Sequence, residues 1–69
     1  MKLKELLYNN NFEIIANGKI YDISKKSAWS DKNCIYQGML GMPVPEKYYD
    51  YNIRGISMIG SYLIIEITK

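Results

Sequence analysis

Three lysines gather around one indole in the segment Lys25-Lys26-Ser27-Ala28-Trp29-Ser30-Asp31-Lys32. Stacking of a base on an aromatic ring between phosphate-binding lysines is the chemistry of single-strand nucleic-acid binders. The same pattern also suits an indole that plugs one end of a small core among solvated loop charges, and Asp31 beside Lys32 blunts the positive patch. A second group, Tyr48, Tyr49 and Tyr51 with Met39 and Met42 upstream, has the composition of a protein-contact surface. Tyrosine and methionine give contact area at low entropic cost. The competing reading packs Tyr48 or Tyr49 on a sheet beneath a short helix. Seven tyrosines in 69 residues exceed what a core of this size can bury with every hydroxyl partnered, which favours a contact role for some of them.

The chain offers little for catalysis. It has no histidine and one cysteine, Cys34, so neither an imidazole base nor a thiolate–imidazole pair can be built. One cysteine cannot form a disulfide or a thiolate zinc site. No glycine-rich phosphate loop occurs: Gly38 and Gly41 lie near each other without a following Lys-Ser/Thr. Glu46 and Asp50 would share a helix surface as solvated charges, and Cys34 opens a strand with no visible activator, as a small buried hydrophobe. The expectation is a non-catalytic protein with no cofactor and no metal.

Length and composition bound the rest. At 8.0 kDa, with 48% apolar and 23% charged residues, residues 1–69 make a single small domain. The net charge of +2 is too small to demand a polyanion partner. No apolar stretch reaches the roughly 18–20 residues a membrane helix needs. Lys2 and Lys4 precede no signal-type apolar run of about 7–15 residues, so the expected location is the cytoplasm of a bacterial cell, with no membrane partner. Eleven Ile, eight Lys, seven Tyr and six Asn against two Ala suggest an AT-rich coding sequence, as in low-GC bacteria and their phages.

The elements that must position these groups read as follows. Leu3, Leu6 and Leu7 repeat at the spacing of one helical face, predicting a two-turn helix over residues 2–8, stopped by Asn9-Asn10-Asn11. Asn17-Gly18, between the β-prone runs 12–16 and 19–23, predicts a hairpin with a type I′ turn. A loop over residues 24–33 leads to a strand at 34–40. Pro45 with Glu46 starts a one-turn helix near residues 45–50. Strands at 53–59 and 62–68 flank Gly60-Ser61. The predicted fold class is α+β, an antiparallel sheet of four to five strands with a short N-terminal helix.

Leu63, Ile65 and Ile67 form the longest alternating apolar row and must face the core. Tyr62 and Ile64 then face the other side, where Ile15 joins them. One short helix cannot cover both faces, so the sequence predicts that the sheet curls on itself or that a second copy covers it, the homodimer being favoured.

The segments Lys2-Leu3-Lys4-Glu5-Leu6-Leu7, Ile35-Tyr36-Gln37-Gly38, Val44-Pro45-Glu46-Lys47-Tyr48-Tyr49-Asp50-Tyr51-Asn52-Ile53 and Leu63-Ile64-Ile65-Glu66-Ile67 together resemble a loose group of short accessory proteins from phages and prophages of Firmicutes. Some small proteins of that kind act against host defence systems. The resemblance implies a protein that binds a host protein, a defence component, and the surface expected to do so on composition is Tyr48, Tyr49, Tyr51, Met39 and Met42. The alternative is a single-stranded nucleic-acid binder using Lys25, Lys26, Trp29 and Lys32.

Overall fold

The computed structural model describes residues 1–8, 17–26, 28–39 and 44–69. They form helix α1 (Leu3–Tyr8), strands β1 (Asn17–Asp22) and β2 (Cys34–Met39), a 3₁₀ turn (Glu46–Tyr48), and strands β3 (Asn52–Ile59) and β4 (Tyr62–Thr68). The four strands make one sheet in the order β2-β1-β4-β3. β1 runs antiparallel to β2 and β3 antiparallel to β4, whereas the central pair β1 and β4 is parallel. The sheet is therefore mixed, which corrects the expected all-antiparallel arrangement. A parallel pair needs a long crossover, and here the crossover comprises β2, the 3₁₀ turn and β3.

Asn17-Gly18 is not a turn. Asn17 pairs with Met39, and Gly18 lies between Gly38 on one side and Leu63 on the other. A type I′ turn needs positive φ at both central positions, and among the described residues only Gly38 and Gly60 have it. Pairing of both residues with β2, and of Gly18 also with β4, replaces the local turn, so tertiary pairing overrides the local signal. The expected strand at 12–16, and with it Ile15, lies outside the described residues.

The β3–β4 hairpin follows its sequence. Gly60 takes φ +62° and Ser61 does not share it, which is the pattern of a type II′ turn with glycine first. That turn matches the strand twist and sets Ile59 opposite Tyr62.

Helix α1 is short but well anchored. The Glu5 carboxylate accepts the Lys2 backbone N–H at 2.9 Å, one half of a capping box. The orphan N–H groups of Leu3 and Lys4 donate to the carbonyls of Tyr51 (2.9 Å) and Tyr49 (3.0 Å). Helix start and 3₁₀ turn thus satisfy one another. Leu3 and Leu6 are buried with Ile20, Val44, Ile65 and Ile67 on one sheet face, the row predicted for β4. Each fully buried Leu or Ile in that cluster contributes about 1.5–3 kcal/mol.

The second face holds a smaller cluster of Tyr21, Ile23 and Ile64, with Cys34 at its margin. Ile64 is only 6% exposed. It is covered by its own chain, and the expected need for a second subunit over Ile64 falls away.

A candidate binding surface under the Trp29 loop

Between β1 and β2, Trp29 is carried onto the second sheet face. The Asn33 side-chain amide donates to the carbonyls of Lys26 (2.9 Å) and Ala28 (2.7 Å), drawing the loop together. The Asp22 carboxylate accepts both the backbone N–H and the hydroxyl of Ser24, and the Ser24 oxygen accepts the Lys69 N–H. Thus stapled at both ends, the loop delivers Trp29 onto Tyr21. Their rings stack with centroids 6.1 Å apart and planes 13° apart. The indole N–H donates to the Glu66 carboxylate at 3.1 Å.

Glu66 reaches this position because its neighbour across the hairpin is Gly55. A β-carbon on Gly55 would sit 2.7 Å from the Glu66 carboxylate oxygen, so any side chain there would displace it. β3 also carries a bulge between Ile53 and Gly55, which brings the glycine opposite Glu66.

Trp29 nevertheless remains 45% exposed. Beside it opens a shallow groove of about 460 Å³, floored by Tyr21 and Ile64 and walled by Trp29, Ile59 and Tyr62, with Lys19 and Gln37 at its polar side. Ile59 (55%) and Tyr62 (37%) are exposed large apolar residues. Among the described residues Lys19 enters no ion pair; the one salt bridge found there joins Lys4 to Asp50 at 3.0 Å. The groove therefore offers an indole, a phenol, a branched aliphatic chain and an ammonium, a combination suited to an apolar segment carrying a carboxylate.

The expected Lys/Trp constellation is divided. Lys25 and Lys32 converge on a separate cavity of about 190 Å³, with Asp22, Asn33, Ile35 and Tyr48. Ile35 and Tyr48 pack against the α1-side core, whereas Trp29 stacks on Tyr21 of the other face. Lys26 is exposed on the loop. The two lysines and the indole do not form one stacking platform, and a carboxylate sits at the indole edge.

The tyrosine group is likewise built into the fold. Tyr48, Tyr49 and Tyr51 are half-buried against the main core. Tyr48 and Tyr51 meet edge-on at 5.1 Å, and Lys47 lies over the Tyr48 ring at 5.0 Å. Met39 is 51% exposed at the end of β2, and Met42 lies outside the described residues. Of the expected interface set, Tyr62 reaches the groove wall and Ile64 its floor.

Sequence reasoning missed Lys19, Gln37 and Ile59. The available signal was Ile56, Met58 and Ile59, apolar residues on both faces of a strand next to a turn, where one face should be polar.

Electrostatic perturbation lies elsewhere. The hydrogen bond from Lys4, reinforced by its charge and that of Lys2, holds the Asp50 carboxyl below the usual aspartate value of 3.8. Lys2 also donates to the Asp50 carbonyl at 3.0 Å. This pair clamps α1 to the 3₁₀ turn, remote from the groove. Among the described residues no group of three or more His, Cys, Asp or Glu gathers as a metal site, and no helix is long and apolar enough to cross a membrane.

No protein-family model, curated protein or solved structure matches the chain.

Proposed function

We propose that this chain is a non-catalytic phage or prophage accessory protein that binds a host protein, a defence component, in the groove beside Trp29. The observation that carries this reading is an indole fixed by Tyr21 and Glu66 yet 45% exposed, next to exposed Ile59 and Tyr62. A rigid aromatic anchor ringed by apolar residues has the make-up of an interface hot spot. Lys19 selects the occupant by charge: an apolar segment of the partner that carries an aspartate or glutamate. The accessory-protein resemblance supplies the biological setting.

Nucleic acid is the weaker reading, because Lys25 and Lys32 line a different cavity from the groove beside Trp29. The test is capture from a nuclease-treated lysate of a low-GC bacterium, with the unmodified protein and with Tyr62→Asp or Lys19→Glu as baits. A protein retained in stoichiometric amount by the unmodified bait and lost from both variants supports the proposal. Equal retention by all three baits contradicts it.

A further inference from the structure

Strand β3 is an edge of the sheet, and it lacks the usual defences of an edge. Natural edges are blunted by lysines, prolines or very short strands. β3 runs for 8 residues, its only charge is Arg54 at the bulge, and it exposes Ile56 (48%), Met58 (62%) and Ile59 (55%).

The hydrogen-bond phase of this edge follows from the hairpin. Residues flanking a two-residue turn exchange both backbone bonds, and bonded and non-bonded pairs alternate from there. Ile59–Tyr62 and Ser57–Ile64 are then bonded pairs. Ile56 and Met58 turn their N–H and C=O groups away from β4, toward the open edge. Among the described residues, no partner on that side meets them. At the other end of β3 the edge is already in use: the Ile53 N–H donates to the Met1 carbonyl at 2.8 Å, and Lys2 bridges Asn52. Among the described residues, the free stretch is therefore 55–59.

We propose that this stretch pairs antiparallel with the same stretch of a second copy, with Ser57 facing Ser57 on the two-fold axis. An axis perpendicular to the sheet keeps every residue on its own face, so opposed residues must be an even sum apart in register, as 56 with 58 or 57 with 57. Centring on Ser57 sets Ile56 against Met58 in both directions, as bonded pairs that use all the outward groups of both residues. Ile59 falls opposite Gly55, and Arg54 lies beyond the paired stretch, so the two arginines never meet. Centring on Ile56 instead leaves Met58 against the bulged Arg54. The net charge of +2 adds little repulsion between copies. The product is an eight-stranded sheet with both Trp29 grooves on one face, a bivalent binder.

Two measurements test this register. Ser57 would occupy a non-bonded pair, where α-carbons lie about 4.5 Å apart, within disulfide reach of about 4.4–6.8 Å. In a Cys34→Ser background, Ser57→Cys is expected to form a disulfide-linked dimer on mild oxidation about tenfold faster or more than the likewise exposed Ser61→Cys control. Sedimentation of the otherwise unmodified protein is expected to give twice the 8.0 kDa chain mass. Met58→Lys should weaken that dimer about tenfold or more, and Ile56→Lys with Met58→Glu should restore it at low salt, since lysine then faces glutamate across the axis. A chain that sediments as a monomer at about millimolar concentration, where even weak interfaces associate, overturns the proposal. So does equal cross-linking of the two cysteine variants, or a dimer indifferent to Met58→Lys. Circular dichroism of Met58→Lys checks that the sheet is intact.

Discussion

Glu66 is the residue on which the groove depends. It has Trp29 on one side and the empty volume of Gly55 on the other. Gly55→Ala crowds the Glu66 Oε1 and is expected to shift the acceptor away from the indole, and Glu66→Ala removes the acceptor outright. Both variants are expected to shift Trp29 emission to longer wavelength, with a stability loss of about 0.5–1.5 kcal/mol for the lost bond in Glu66→Ala. An unchanged spectrum in both would show that Tyr21 stacking alone places the ring. Asp50 gives a second residue-scale prediction. A carboxyl whose folded pKa is depressed stabilises the fold above its unfolded pKa, and that contribution disappears as pH falls through the folded value. Asp50 is depressed by Lys4, so acid unfolding below about pH 4 should be less steep in Asp50→Asn, the difference shrinking in high salt. Identical acid titrations of the two proteins would show that the Lys4–Asp50 pair contributes nothing to the fold.

At the scale of elements, the legible parts of the sequence were those whose physics is local. The leucine spacing of α1, the proline start of the 3₁₀ turn, and the Gly60-Ser61 hairpin with its Leu63, Ile65 and Ile67 row all stand as read. Asn17-Gly18 misled because a turn signal weighs less than strand pairing, and the pairing of Gly18 with β4 some 45 positions away leaves no local mark. Trp29 was legible as an aromatic on a loop. Its seat on Tyr21 was not, since that depends on Asn33 and Ser24 stapling the loop and on Gly55 admitting Glu66. The burial of Ile64 reverses one expectation. Ile64→Lys, which would merely disrupt a dimer if Ile64 were exposed, now places a charge in the Tyr21–Ile23 cluster. It should unfold the chain or lower its urea midpoint sharply, because a core of this size supplies only about 3–5 kcal/mol in all. Ile65→Ala should cost about 2–5 kcal/mol by leaving a cavity under α1. A near-native midpoint for either variant would contradict the two-cluster account.

For the whole molecule, the sheet divides its work between its faces. One face is covered over Ile20, Ile65 and Ile67 by α1 and the 3₁₀ turn and supplies stability. The other is only partly covered, by a loop that ends in an exposed indole. In the proposed function that second face does the binding, and the free edge of β3 doubles it. The most direct measurement is the emission of Trp29 itself, the only tryptophan in the chain, during titration with the protein captured by the unmodified bait and, separately, with single-stranded oligonucleotides. The account predicts a saturable change with the captured protein, abolished by Lys19→Glu, and no salt-dependent quenching by oligonucleotide. Quenching by oligonucleotide that weakens steeply with salt, with no response to the captured protein, would contradict it.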